Sequence, residues 1–161
     1  MMNKWTHLDE KGKINMVDIT EKPVSYRKAV ARGEIKIKKQ TTQAISENQI
    51  EKGNVLATAR IAAIEAIKNT PNQIPLCHNI PITDTEIGFN VKKKKIEVKT
   101  TVKTTSKTGV EMEALNGLTT ALLTIWDMVK SREKDKDGQY PHTKIDDIKV
   151  LEKVKKTKND A

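Results

Sequence analysis

The order of apolar and polar positions divides the chain into alternating strand-like and helix-like runs. Residues 1–23 carry no sustained period and read as an irregular arm ending at Pro23. A short polar helix is predicted over Val24–Arg32, stopped by Gly33. Glu34–Lys39 alternates, with Ile35 and Ile37 on one face, as a half-buried strand does. Thr41–Ile50 is compatible with a short helix. Asn54 is a suitable N-cap for the next segment. Val55–Asn69 places Val55, Leu56, Ala59, Ala62, Ala63 and Ile67 at helical spacing, and Pro71 is expected to end it. Pro75–Pro81, a proline at each end, reads as a stiffened loop. Two strands follow, Thr83–Val91 and Ile96–Thr105, joined by a charged hairpin tip at Lys92–Lys95. A long helix is predicted from Val110 to Arg132, with Leu115, Leu118, Leu122, Ile125 and Val129 on one stripe. Asp135–Tyr140 is a turn containing Gly138, and Lys144–Val154 is a last strand. Without the extra helices the order is strand, helix, strand, strand, helix, strand. That order predicts an α+β protein with a ferredoxin-like antiparallel sheet and helices on one face. The sheet's open face then needs cover from the extra helices or another subunit.

The length of 161 residues fits one domain. No run approaches the roughly 20 apolar residues a membrane helix needs, and the polar start lacks the apolar segment of a secretory signal. Cys77 is the only cysteine, which excludes an intrachain disulfide and favours the cytoplasm. The net charge of +9 asks for an anionic partner, either a nucleic acid or a small polyanion. The five aromatics are not interleaved with cations as in single-strand binders.

Three groups of residues carry candidate chemistry. Leu76-Cys77-His78 lies in the proline-bracketed loop. It could supply an acid–base pair, a nucleophile with its base, a metal ligand, or simply a packed thiol beside an exposed imidazole. Side chains adjacent in an extended segment point apart, so a direct Cys77–His78 pair is geometrically poor. Zinc needs more ligands than this loop offers. Lys107-Thr108-Gly109 precedes a helix N-terminus, a place suited to phosphate. Glu111 and Glu113 would be favoured there by the helix dipole alone. On the long helix Glu113, Asn116, Thr120, Thr124, Asp127 and Lys130 share a polar face. Asp127 with Lys130 could equally be an ordinary surface ion pair. Glu113 and Asp127 lie 14 positions apart, roughly 21 Å along the axis. If both serve one site, two copies of the chain must build it, and two-fold pairing of the helices would do so.

These segments resemble the MoaC family. The residues that carry the resemblance are Lys52 through Ala62, Ile74-Pro75-Leu76-Cys77-His78, Lys107 through Leu115, and Leu123 through Lys130. Thr6-His7-Leu8-Asp9 and Met16-Val17-Asp18-Ile19 add to it. The blocks stand in the family's order and span residues 5–153. The resemblance implies a ferredoxin-like fold and a hexamer built as a trimer of dimers, with sites at dimer interfaces. It also implies a lyase of molybdenum-cofactor biosynthesis. The substrate would be 3′,8-cyclo-7,8-dihydroguanosine triphosphate, and the products cyclic pyranopterin monophosphate and pyrophosphate. By motif match Asp127, Lys130 and Lys52 are the implied catalytic set. Leu76, Cys77, His78, Glu111, Met112 and Glu113 are the implied substrate contacts, with Arg27 and Lys153 as phosphate-side cations. No metal or other cofactor is expected. The sequence departs from the family after the last strand. Val154-Lys155-Lys156-Thr157-Lys158 has no glycine where a glycine-rich tail is usual, and Asp135–His142 is a variant connection.

Three readings compete with this one, among them a family member that has lost activity and serves as a scaffold, against which the intact motif blocks speak. A nucleic-acid-binding module on the same fold would also explain the charge, although Glu111, Glu113 and Asp127 would repel a phosphate backbone. A Cys77-dependent hydrolase would require an activating base that the sequence does not display.

Overall fold

The computed structural model describes residues 12–157. The Thr6-His7-Leu8-Asp9 block and Lys158 lie outside the described residues. Strand β1 (Ser25–Lys36) leads to helices α1 (Lys39–Ser46), α2 (Val55–Lys68) and the single turn α3 (Thr70–Gln73). The hairpin β2 (Asp84–Lys92) and β3 (Lys95–Ser106) follows, then α4 (Glu111–Glu133) and β4 (Lys144–Lys156). The sheet order is β2-β3-β1-β4 with every neighbour antiparallel. This is the ferredoxin-like arrangement expected, and α1 is the additional helix of the N-terminal third.

The helix predicted over Val24–Arg32 is corrected. From Ser25 this segment is the first half of β1, and the strand ends at Lys36 rather than Lys39. Arg, Lys and Ala favour a helix intrinsically, but β1 is the second innermost strand and packs under α4. Ala29, Ala31 and Gly33 face the helices. A Cβ on Gly33 would stand 3.0 Å from Leu122 Cδ1 and 3.1 Å from Ile148 Cγ1. Small residues are required because helix and sheet approach closely there, so the helix-facing side lacks the large apolar residues that make strand alternation visible.

The core lies between sheet and helices. Ile35, Ile96, Val98 and Val102 from the strands meet Leu118, Leu122, Ile125 and Val129 from α4, all fully buried. Asn54 caps α2 as expected, its Oδ1 accepting from Ala57 N at 2.9 Å. Pro71 does not simply end α2. It sits in the first turn of α3, where a missing N–H costs nothing. The long helix lies against α2 at Gly117, where a Cβ would come within 2.5 Å of Ile67 Cγ1. Asn116 Nδ2 donates to Ala66 O at 2.9 Å. Part of the polar face of α4 therefore meets α2 of the same chain.

The open face of the sheet is a charged lattice. Lys95 pairs with Glu34 at 2.7 Å and with Glu97 at 3.0 Å, while Lys92 pairs with Glu97 at 2.8 Å. These lysines hold Glu97 down at a pKa of about 2. No described helix is long and apolar enough to cross a membrane.

Candidate active site

All eight residues expected to contact substrate line one cavity of about 680 Å³ at the N-terminal end of α4. Three structural elements bring them together. The loop after α3 supplies Leu76, Cys77 and His78. It is shaped by a turn in which Cys77 N donates to Ile74 O at 3.0 Å. Thr104 Oγ1 donates to Pro81 O, and Thr83 N donates to Lys103 O at 3.0 Å, which fastens the loop to β3. The first turn of α4 supplies Glu111, Met112 and Glu113. The ends of β1 and β4 supply Arg27 and Lys153.

The arm closes a further side. His78 Nε2 lies 2.8 Å from the Val17 carbonyl. A carbonyl only accepts, so Nε2 carries a proton and donates it to this bond. Lys107 Nζ donates to Thr20 O at 2.6 Å. Val17, Ile19, Lys22, Lys107, Thr108 and Lys155 also line the cavity. Sequence reasoning flagged Lys107-Thr108-Gly109 as a phosphate-suited segment but assigned no role to Lys22 or Lys155. The alternating register of a strand extended past Val154 would have placed Lys155 beside Lys153.

Electrostatics separates the acids. Glu113 is buried, 3% exposed. Burial raises its pKa, and the Glu111 charge adds to the effect. A neutral carboxyl able to give a proton is therefore favoured. Glu111 instead forms an ion pair with Lys153. Its carboxylate folds back over Gly109, where any Cβ would collide with it. Burial, with the nearby Glu113 charge, raises the Cys77 thiol above its ordinary pKa. That is the opposite of what a thiolate nucleophile needs. Cys77 and His78 make no hydrogen bond to each other among the described residues, in keeping with the geometric argument. The hydrolase reading loses its basis. Among the described residues no group of three or more His, Cys, Asp or Glu is arranged to hold a metal.

Because the folded pKa of Glu113 is raised, its contribution to stability is present below its ordinary value of 4.5 and lost as pH rises through the folded value. The Glu113→Gln chain cannot ionise there. Its thermal midpoint is expected to gain on the wild type between pH 4 and pH 7, as thermal scans across that range would show. A Gln chain that grows relatively less stable toward pH 7 would contradict this.

The implied catalytic set stands at the other end of α4. Lys52 Nζ meets Asp127 Oδ2 at 2.8 Å and Asp127 O at 2.8 Å, and Lys130 Nζ meets Asp127 Oδ1 at 2.7 Å. Lys52 projects from a turn that needs Gly53 at φ 98°, a left-handed conformation costly for other residues. Trp126 packs edge-on against Tyr140 with ring centroids 5.6 Å apart. Tyr140 comes from the Asp135–His142 connection, which is closed by Asp135 Oδ1 accepting from Asp137 N and Gln139 N at 2.9 and 2.8 Å. Lys130 and Lys52 hold the Asp127 carboxyl at a pKa of about 2, and Asp127 in turn raises Lys130. None of these three residues lines the cavity that holds Glu113. The two groups therefore stand apart at opposite ends of α4 within one chain.

Fold and site together define a ferredoxin-like α+β protein with a cationic cleft and a separate carboxylate–lysine cluster. The model of the MoaC family matches residues 16–156, and the chain belongs to this family. A protein of Pyrococcus horikoshii named "Probable cyclic pyranopterin monophosphate synthase" is 58% identical over 155 residues, 96% of this chain and 97% of its own length. Proteins of the same name from Pyrococcus abyssi and Pyrococcus furiosus are 56% and 54% identical. The alignments cover 96% and 97% of this chain, and 97% and 99% of theirs.

Proposed function

We propose that this chain converts 3′,8-cyclo-7,8-dihydroguanosine triphosphate to cyclic pyranopterin monophosphate and pyrophosphate, a lyase step of molybdenum-cofactor biosynthesis. The observation that carries this function is the cavity itself, which holds every matched substrate-contact residue and is lined by both cations and acids. Arg27 and Lys153 neutralise the triphosphate. His78, Cys77 and Glu113 face the guanine-derived ring. As that ring opens and recloses as a pterin, Glu113 gives and retrieves a proton. An intramolecular hydroxyl attack on the first phosphate forms the cyclic ester, and pyrophosphate leaves toward the cations.

The set of Asp127, Lys52 and Lys130 acts in the site of a neighbouring copy. At neutral pH Asp127 is ionised, so the ammonium groups are its proton donors and the carboxylate orients them. Pairing of two chains about a two-fold axis antiparallel along α4 completes each site, and three such dimers make the hexamer. The whole chain is one synthase domain working in the cytoplasm on a small molecule, with no nucleic-acid partner. A nucleic-acid module would instead lose affinity for RNA or DNA steeply as salt is raised.

Purified protein supplied with the cyclised GTP intermediate is expected to release pterin product and pyrophosphate in equal amounts. Absence of both, with the substrate intact, would remove the proposal.

A further inference from the structure

Three cations line the same cavity with no carboxylate ion pair among the described residues: Arg27, Lys22 and Lys155. Lys107 donates to the Thr20 carbonyl and lies near the Asp18 carboxylate, whereas Arg27 Nε is buried without a hydrogen-bond partner. Lys153 differs, because Glu111 already compensates its charge. Positive charge gathered around one cavity, with a buried Arg27 Nε left without a partner, favours an anion there.

The position of Lys155 follows from strand geometry. The edge strand β4 runs on to Lys156, and its register sets Lys155 opposite Arg27 and Lys156 opposite Tyr26. Side chains alternate along a strand, so Lys155 shares the helix-facing side with Arg27. Lys156 points to the open face and does not line the cavity. A glycine at position 155 would leave this corner without a charge.

We propose that Lys155 is a polyphosphate-binding residue of this enzyme, forming with Arg27 a two-strand clamp on the phosphates of the substrate. The inference rests on the function proposed above and adds a residue that the motif match did not include. Its role is ground-state binding. The Lys155→Met enzyme is expected to show a KM for the cyclised GTP derivative raised about tenfold or more, the usual scale for one charge-assisted hydrogen bond. Its kcat stays within about twofold of wild type. Lys155→Arg keeps the charge and stays near wild type. Lys156→Met removes the same charge from the other face and leaves KM unchanged.

Calorimetric titration of the same four proteins with inorganic tripolyphosphate separates this inference from the function it rests on. Wild-type protein, Lys155→Arg and Lys156→Met are expected to bind alike, and Lys155→Met about tenfold more weakly. Equal affinity, or equal KM, for Lys155→Met and Lys156→Met overturns the assignment whether or not the wild type turns substrate over. Failure of wild-type turnover with this binding pattern intact overturns the enzymatic function alone.

Discussion

The Asp127→Asn chain is expected to lose about a thousandfold in pyrophosphate release, the scale of a lost proton-transfer group, with no loss of folding. Asp127 is exposed and touches no core residue, so its removal leaves the packing of α4 intact. What it removes is one of the two acceptor oxygens and the negative charge that pairs with both ammonium groups, at 2.7 and 2.8 Å. Asparagine keeps the shape and loses the charge, and Lys52 and Lys130 are left to repel each other. A steady-state assay beside a thermal scan checks both halves of the expectation. Wild-type turnover would refute the assignment of Asp127.

Under the proposed pairing of two chains, a mixing experiment makes the result sharper. Asp127→Asn and Glu113→Gln damage opposite ends of α4, so each single-variant assembly has every site damaged once. In random mixed dimers half the pairs are heterodimers, and each heterodimer holds one wild-type site. Dissociating and reassembling an equal mixture is therefore expected to restore about a quarter of wild-type activity. A mixture as inactive as its components would place both residues in one chain's site, or neither in any.

The second large effect concerns stability. Glu133 is fully buried at the last turn of α4. Its Oε1 and Oε2 accept from Lys38 N at 3.2 and 3.1 Å, Oε1 from Thr41 Oγ1, and Oε2 from Thr143 Oγ1 at 2.7 Å. Lys38 is the N-cap of α1 and its own side chain does not cap, so a carboxylate from a distant element takes that task. Its charge also suits the positive end of α1. The Glu133→Ala chain strands three donors and opens a cavity. The expected cost is about 3 kcal/mol, or a midpoint lowered by about 6–12 °C. Thermal unfolding checks this, and a change within experimental scatter would refute it. Glu133 lies one turn beyond Lys130 but on the buried side of α4, and turnover per folded molecule is expected to persist at low temperature.

Long elements with strong periods were legible before folding. The stripe of Leu118, Leu122, Ile125 and Val129, the cap at Asn54 and the lysine hairpin between β2 and β3 are local features, each decided by residues within a turn or two. The spacing of Glu113 and Asp127 was legible for the same reason. A rigid helix converts sequence distance into length, which excluded a one-chain site combining them.

What tertiary structure alone decided is where segments gain or lose by meeting distant ones. Val24–Arg32 has helix-favouring composition, yet it becomes strand because β3, β4 and α4 claim its hydrogen bonds and its faces. Glu133 carried no signal in the sequence, since its partners at Lys38 and Thr41 are more than 90 residues away. Lys155 belongs to the site because the register with Arg27 carries β4 past its last apolar alternation. Local chemistry was determined by the chain itself. The pairing of remote backbone and charge depended on the fold, because hydrogen bonds and burial are contested between segments and only the assembled whole settles which contact is strongest.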